Sequence, residues 1–148
     1  MPYGPRPEPD RDSAEWWERL AREGFAVQRC DGCGTARFPA RAFCPSCRGE
    51  AWRWLPVPAE GVVESWIVNR RAFLPGATEE PYVVVMVRLD AVPGCLVHGN
   101  WRGAAPEPLP GQRVRGVRTR VDDRLTLLDW EPLDGDADAH SPERTSSR

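Results

Sequence analysis

Hydrophobic and polar residues alternate along the second half of the chain, from about residue 60 to residue 130. Successive side chains of a strand point to opposite faces, so this period of two predicts β-structure. The second segment of the series, PYVVVMVRLD, is apolar at both odd and even positions, as expected of a strand covered on both sides. Five strands are predicted, at residues 62–69, 82–89, 95–101, 112–121 and 124–130. Short strands with glycines at the bends favour a small closed barrel, and the five-stranded OB-fold is the leading candidate.

The N-terminal part of the chain has the periodicity of a helix. In the segment DSAEWWERLAREG several apolar residues share one helical face. Asp12 is the predicted N-cap, and Glu15, three residues later, completes a capping-box pattern. Gly24 is the predicted end of the helix, because glycine adopts the left-handed conformation that commonly follows a last turn.

Four of the five cysteines lie in CDGCGTARFPARAFCPSC as two C-x-x-C pairs. A tetrahedral Zn²⁺ needs four soft donors at about 2.3 Å, and two such pairs supply four thiolates from two tight turns. Disulfides are disfavoured where thiols stay reduced, and a redox C-x-x-C is normally single and begins a helix. We therefore predict a structural zinc site whose four thiolates close the coordination shell. Its ligands are Cys30, Cys33, Cys44 and Cys47.

These patterns divide the chain into five parts. Both ends are rich in proline, charge or small polar residues, so neither can bury enough apolar surface to offset its ordering entropy, and both are expected to be disordered. Within the cysteine segment, Phe38 and Phe43 are expected to pack beneath the two turns. The predicted parts are a tail at 1–11, the N-terminal helix at 12–25, a zinc ribbon at 26–56, the OB-fold at 57–133 and a tail at 134–148.

Composition and motifs argue against several classes of function. A net charge of −2 gives no general attraction to nucleic acid or to an anionic membrane. No signal peptide begins the chain and no apolar run approaches the ~20 residues of a bilayer span, so a cytoplasmic protein is expected. Phosphate-binding glycine loops and the G-x-S-x-G elbow do not occur. Cys95 and His98 suggest a nucleophile and base, but residues three apart on a strand face opposite sides, so Cys95 is predicted to be a buried apolar residue.

Two surfaces are candidates for contact with a partner or ligand. The first is an arginine set on the fourth predicted strand, which consists of Arg113, Arg115, Arg118 and Arg120. Strict alternation splits this set between two faces, whereas a β-bulge at 116–117 would bring all four to one side, where they could hold phosphates or an acidic partner. The alternative for this set is a solvated face. The second surface is the helix, because Trp16 and Trp17 are hard to bury together in a small monomer and tryptophan is enriched at interface hot spots.

The order of these parts resembles a known family. The N-terminal helix is followed by QRCDGCGTARFPARAFCPSC, a W-x-W exit, the strand segments GVVES and PYVVVMVRLD, then LPGQRVR and a closing LTLLDWEP. Over about residues 13–132 the chain resembles the family called domain of unknown function thirty-five, which joins a rubredoxin-like zinc ribbon to an OB-fold. The resemblance implies a mainly β fold with an N-terminal helix, and structural zinc at the four ribbon cysteines.

The same resemblance implies a function. Members of this family are non-catalytic partners of thiolase-like enzymes, on which the OB part packs and helps to form the acyl-CoA site. We therefore expect an accessory subunit in lipid, steroid or polyketide metabolism, with two copies on a partner dimer and the arginine set and tryptophan pair as candidate CoA or partner contacts. The alternatives are a nucleic-acid-binding module, since zinc ribbons and OB-folds both serve that role, and a CoA-ester enzyme that uses Cys95.

Overall fold

The computed structural model describes residues 6–71 and 81–133. These ranges contain one helix, α1, and eight strands, which form a three-stranded sheet of order β2-β1-β3 and a five-stranded sheet of order β6-β5-β4-β7-β8. The predicted tail at 134–148 and the first five residues of the tail predicted at 1–11 lie outside the described residues. The elements are α1 (Ala14–Arg22), β1 (Ala26–Cys30), β2 (Ala36–Arg37), β3 (Trp52–Pro56), β4 (Glu60–Asn69), β5 (Tyr82–Leu89), β6 (Leu96–Asn100), β7 (Arg113–Arg120) and β8 (Thr126–Pro132).

The five-stranded sheet closes on itself and confirms the predicted OB-fold. Its two outer strands in hydrogen-bonding order, β6 and β8, meet at a parallel bridge between Trp101 and Trp130. Next to this bridge, the N–H of Arg102 donates to the carbonyl of Trp130 at 2.8 Å. Gly99 permits the close approach, because a Cβ at that position would lie 2.3 Å from the carbonyl oxygen of Leu128. Five strands closed in this way form a small Greek-key barrel.

Strand β5 divides its side chains between the inside and the outside of the barrel. The inward set is Val83, Val85, Val87 and Leu89, each at most 9% exposed. The outward set is Tyr82, Val84, Met86 and Arg88, each half-buried. The expectation that this strand is covered on both sides is therefore wrong for its outer face: the interior of the barrel is full, but the apolar outer face is only partly covered by the described residues.

Helix α1 begins one residue later than the cap prediction places it. Ser13, not Asp12, is the N-cap, and no side chain caps the helix there, so the predicted capping box with Glu15 is not formed. The carboxylate of Asp10 instead accepts the N–H groups of Asp12 at 3.1 Å and Ser13 at 2.8 Å. Gly24 follows the C-terminus with a φ of 131°, which confirms the predicted end. No helix in the described ranges is long and apolar enough to cross a membrane.

Arg118 links this helix to the barrel. Its Nη1 donates to the carbonyl oxygen of Leu20 at 3.2 Å. Leu20 lies in the last turn of α1, where carbonyls have no partner within the helix and carry the negative end of its dipole. A guanidinium at this point both satisfies a carbonyl and interacts favourably with the dipole.

We expect Arg118→Ala to lower the free energy of unfolding by about 1–2 kcal/mol, because the Leu20 carbonyl loses a charged donor. Denaturant titration followed by circular dichroism measures this change. Arg120→Ala is the matched control: Arg120 pairs with the exposed Asp123 three residues away, and an exposed pair of this kind contributes about 0–1 kcal/mol. Equal stability of the Arg118→Ala and control variants would contradict the role given to Arg118.

Candidate metal centre and surrounding surfaces

Two tight turns of equal geometry present the four cysteines. The N–H of Gly34 donates to the carbonyl of Cys30 at 3.0 Å, and the N–H of Arg48 donates to that of Cys44 at 2.9 Å. In both turns the first cysteine donates its own N–H to the carbonyl of the residue five positions later. Gly34 and Arg48 occupy the same place in their turns and have φ values of 74° and 67°. Gly34 therefore reverses the backbone directly after the first cysteine pair, in a conformation that favours glycine.

The two turns face each other and bring the four sulfur atoms together. The Sγ atoms of Cys30 and Cys47 are 3.6 Å apart, as are those of Cys33 and Cys44. All four sulfurs lie within 4.8 Å of one another. Four ligands at about 2.3 Å from a tetrahedral Zn²⁺ are separated by about 3.8 Å, so the cluster fits this ion. The donor set is complete with four thiolates, as expected of a structural site.

The electrostatics of the cluster also favour a divalent cation. Hydrogen bonding from the backbone of Cys47 lowers the pKa of Cys44 to about 6. The backbone N–H of Gly49 lowers the pKa of Cys47, but the neighbouring sulfurs of Cys30 and Cys33 outweigh it and raise that pKa to about 11. Four thiolates this close repel one another. A divalent cation at their centre would offset this repulsion and favour the loss of the remaining thiol protons.

A buried polar network ties the cysteine loop to strand β1. The Oε1 atom of Gln28 accepts a hydrogen bond from Nε of Arg37 and another from the N–H of Arg41, each at 2.8 Å. Gln28 and Arg37 are 2% and 5% exposed, so these bonds form away from water, where an unpaired polar group is costly. The periodicity of β1 gave no indication of this network, which depends on a loop returning to the strand.

The tryptophan pair splits between the core and the surface. Trp16 is 6% exposed, donates its Nε1–H to the carbonyl of Ala26 at 3.0 Å, and packs edge-on against Phe38 with ring centroids 5.3 Å apart. This corrects the expectation of a partner contact at Trp16, because Phe38, a loop residue distant in sequence, covers its ring. Trp17 is half-buried and remains accessible. Of the two phenylalanines expected beneath the turns, Phe38 packs on the hydrophobic core against Trp16 and Phe25, and Phe43 is 56% exposed, so the expectation is wrong for Phe43.

The arginine set does not form one cationic stripe. Strands β7 and β8 pair without a register shift, so the β-bulge that would align all four side chains is absent at 116–117. The bulge in this barrel lies in β4, between Val63 and Ser65. Arg118 contacts the helix, and the other three arginines contact carboxylates. These ion pairs are Arg113–Asp90, Arg115–Glu131 and Arg120–Asp123.

Cys95 is unsuited to be a nucleophile. Its side chain is fully buried, and this burial raises the pKa of its thiol, which keeps the sulfur protonated. His98, the base considered with it, is exposed on β6. The prediction of a buried apolar role for Cys95 is therefore confirmed.

A cleft beside α1 was not foreseen from the sequence. It has a volume of about 350 Å³ and lies between the helix and strands β5, β6 and β8. Trp17 lines one side, and Tyr82, Val84 and His98 line another. The sequence signal for this cleft is the row of apolar residues on the outer face of β5, which periodicity alone assigns to a strand covered on both sides.

Comparisons with known proteins match both modules. A family model described as the rubredoxin-like zinc ribbon domain of ChsH2 matches residues 17–53, and one described as its C-terminal OB-fold domain matches residues 54–120. The chain is 35% identical over 129 residues to a probable enoyl-CoA hydratase alpha subunit of Thermomonospora curvata; this covers 86% of this chain but 40% of that relative. It is 30% identical over 95 residues to a DUF35 domain-containing scaffold protein of Methanocaldococcus jannaschii, which covers 63% of this chain and 66% of the relative.

Two solved structures are similar in fold. A chain described as Ltp2-ChsH2(DUF35) aldolase superposes with a TM-score of 0.76 at 34% identity, over 86% of this chain and 98% of that one. A DUF35-family protein of Sulfolobus solfataricus superposes with a TM-score of 0.56 at 14% identity, over 83% and 86% of the two chains. At that identity the second likeness shows the fold alone.

Proposed function

The chain belongs to the DUF35 family of ChsH2-like proteins, and on this premise we propose that it is a non-catalytic accessory subunit of a thiolase-like enzyme that processes acyl-CoA substrates. The observation that carries the proposal is the match over 98% of a chain whose description joins DUF35 to an aldolase. The M. jannaschii relative, named a scaffold protein, supports the same role.

The chemistry of the described residues supports this proposal. The zinc ligands form a complete shell of four thiolates, which leaves no position for substrate, and the remaining cysteine is a buried, protonated thiol. When bound, zinc holds the two turns of the ribbon together. The chain's contribution to its enzyme is then structural: the barrel covers an apolar surface of the partner and orders the partner loops that form its acyl-CoA site.

The assembly that we propose contains two copies of this chain on a partner dimer, in the cytoplasm, within lipid, steroid or polyketide metabolism. A nucleic-acid-binding module is the alternative. Such modules combine a cationic groove with aromatic residues on which bases stack. Three arginines of β7 contact carboxylates, which reduces the net positive charge available to phosphates and makes the accessory role the better supported one.

Co-expression tests the proposed function. The chain is produced with the thiolase-like enzyme encoded nearest to it, and the mixture is analysed by size exclusion with acyl-CoA turnover assayed in each fraction. We expect a stable complex, and activity only in fractions that contain both chains. An enzyme that is fully active alone and unchanged by this chain would overturn the proposal. Oligonucleotide binding that weakens steeply with salt would support the alternative.

A further inference from the structure

One outer surface of the barrel differs from the others in charge. This surface, the β5 face, consists of Ile67, Tyr82, Val84, Met86, His98 and Asn100. The register joins its members directly: Ile67 is paired with Val84, Val84 with Asn100, and Met86 with His98. They point outward, because the alternate residues of β5 are buried in the barrel. Ile67 is 64% exposed, an unusual state for an isoleucine at the centre of a sheet.

Among the described residues, no carboxylate or guanidinium lies within the β5 face itself; Arg6, which pairs with Asp122 at 2.6 Å, lines the adjoining cleft. Charged groups begin at the borders of the face, where Arg88 pairs with Glu64 at 2.8 Å and Arg70 follows the end of β4. On β7 and β8, by contrast, the outward positions carry ion pairs such as Arg115–Glu131. Depletion of charged residues at the centre of a surface distinguishes the cores of protein interfaces from ordinary surface. This difference in charge makes the β5 face a better candidate for a protein interface than the arginine set.

The cleft beside α1 continues this surface. Tyr82, Val84 and His98 belong both to the β5 face and to the wall of the cleft, and Trp17 stands opposite them. Tryptophan and tyrosine are the residues that most often anchor interface hot spots, which form in pockets that exclude water. A bulky apolar side chain entering from outside would be enclosed by aromatic rings, with the imidazole of His98 available for a hydrogen bond.

The border of the β5 face indicates the charge of the partner. Arg70 is 69% exposed, and its Nη2 lies 3.9 Å from Oε1 of Glu107, a long separation for an ion pair. The other carboxylate oxygen of Glu107 accepts the Nε1–H of Trp66 at 2.9 Å, which holds that carboxylate away from the arginine. Arg70 therefore presents positive charge beside an uncharged surface, and an acidic side chain on the partner complements it.

We infer that the β5 face is the surface that docks on the enzyme partner. Its occupant is an apolar segment of that enzyme, which places a bulky side chain in the cleft at Trp17 and a carboxylate against Arg70. The inference rests on the proposed function, because the partner is the same enzyme. It goes further because it names the docking surface. It also places the ion-paired arginines of β7 outside that surface.

The test is the affinity of purified partner enzyme for variants of the full chain, measured by biolayer interferometry. Ile67→Asp is expected to weaken binding by about 30-fold or more, because it buries an unpaired charge at the centre of the interface. Leu109→Asp is the matched control: Leu109 is 50% exposed and lies outside the β5 face, so this variant makes the same chemical change elsewhere. We expect its affinity to equal that of the wild type, and both variants to melt at the wild-type temperature.

A second pair of variants tests the acidic contact. Arg70→Glu is expected to weaken binding by about tenfold, because it opposes the partner's carboxylate with a like charge. Arg29→Glu, at an exposed position of β1 in the three-stranded sheet, makes the same reversal away from the β5 face and is expected to have no effect. Equal losses in Arg70→Glu and Arg29→Glu would show general charge steering and overturn the acidic contact.

The outcomes separate this inference from the proposed function. If the wild-type chain does not bind the enzyme, the proposed function fails. If the wild type binds and Ile67→Asp binds equally well, the accessory role stands and the docking surface is wrong. Titration of the isolated chain with octanoyl-CoA is expected to show no binding. Binding of octanoyl-CoA that competes with the enzyme would instead assign the cleft to a small ligand and overturn the occupant named here.

Discussion

Removal of zinc is expected to unfold the ribbon and to loosen the N-terminal half of helix α1, where Trp16 packs against the cysteine loop. The three-stranded sheet is small, and its strand β2 has only two residues, so it buries too little apolar surface to fold without its metal. A structural Zn²⁺ contributes about 10–16 kcal/mol to such modules, far more than any hydrogen bond in the loop. The helix is loosened because Trp16 loses its contact with Phe38 in the cysteine loop, whereas Leu20 and its bond from Arg118 keep the last turn on the barrel.

The substitution Cys44→Ser tests this expectation, since Cys44 is fully buried and contributes one of the four sulfurs. Elemental analysis is expected to find one zinc per wild-type chain and little in the variant. Hydrogen exchange in the variant is expected to accelerate throughout 26–56 and in the N-terminal half of α1, while β5 keeps its protection because the barrel has its own core. Cys95→Ala is the matched control; it removes a buried thiol outside the cluster and is expected to retain the metal. Wild-type exchange protection of the ribbon in zinc-free Cys44→Ser would contradict the structural role.

Features set by local sequence pattern could be predicted. The strands of the barrel follow from the period of two, which depends only on which neighbours are apolar, and the observed strands β4 to β8 overlap the predicted ones in order. The zinc ligands follow from the spacing within two short turns. In both cases the residues that decide the structure lie within a few positions of one another.

Features set by distant contacts could not be predicted. Trp16 is buried because a loop residue, Phe38, returns to cover it. Arg113 and Arg115 are paired because Asp90 and Glu131, on other parts of the sheet, face them. The sequence places charges in order along the chain but does not say which strands will be neighbours. For that reason the arginine set was predicted as a binding surface, whereas the more distinctive β5 face was not.

The closure of the barrel depends on a buried ion pair that sequence pattern also did not reveal. Asp129 is fully buried, and its Oδ2 accepts a hydrogen bond from Nε of Arg102 at 2.7 Å. The Nη2 atom of Arg102 lies 2.6 Å from the same oxygen and completes the ion pair. The Oδ1 atom of Asp129 accepts from Nδ2 of Asn100 at 3.0 Å. Asn100 ends β6 and Asp129 lies in β8, so the network spans the two strands that close the sheet, next to the bridge at Trp101.

Asp129→Ala is expected to lower the free energy of unfolding by about 3–5 kcal/mol, because it removes the buried carboxylate that both Arg102, 15% exposed, and Asn100 contact. This is a large part of the stability of a domain, typically about 5–15 kcal/mol, and urea titration measures it directly. Glu131→Ala is the matched control two residues along β8. Its carboxylate pairs with Arg115 at the surface, and its loss is expected to cost about 1 kcal/mol or less.

The double variant Arg102→Met with Asp129→Leu separates the ion pair from simple packing. If the cost of Asp129→Ala comes from an uncompensated buried charge, removing both charged groups together is expected to restore most of the stability, since apolar replacements of a buried pair are often neutral. A double variant as unstable as the sum of Arg102→Met and Asp129→Leu, each measured singly, would show that the two residues do not interact, because coupled neighbours depart from additivity by about 0.5–3 kcal/mol. Recovery would mean that the seam between β6 and β8 needs a matched pair of side chains rather than charge itself, even though Asn100 loses the carboxylate that accepts its hydrogen bond.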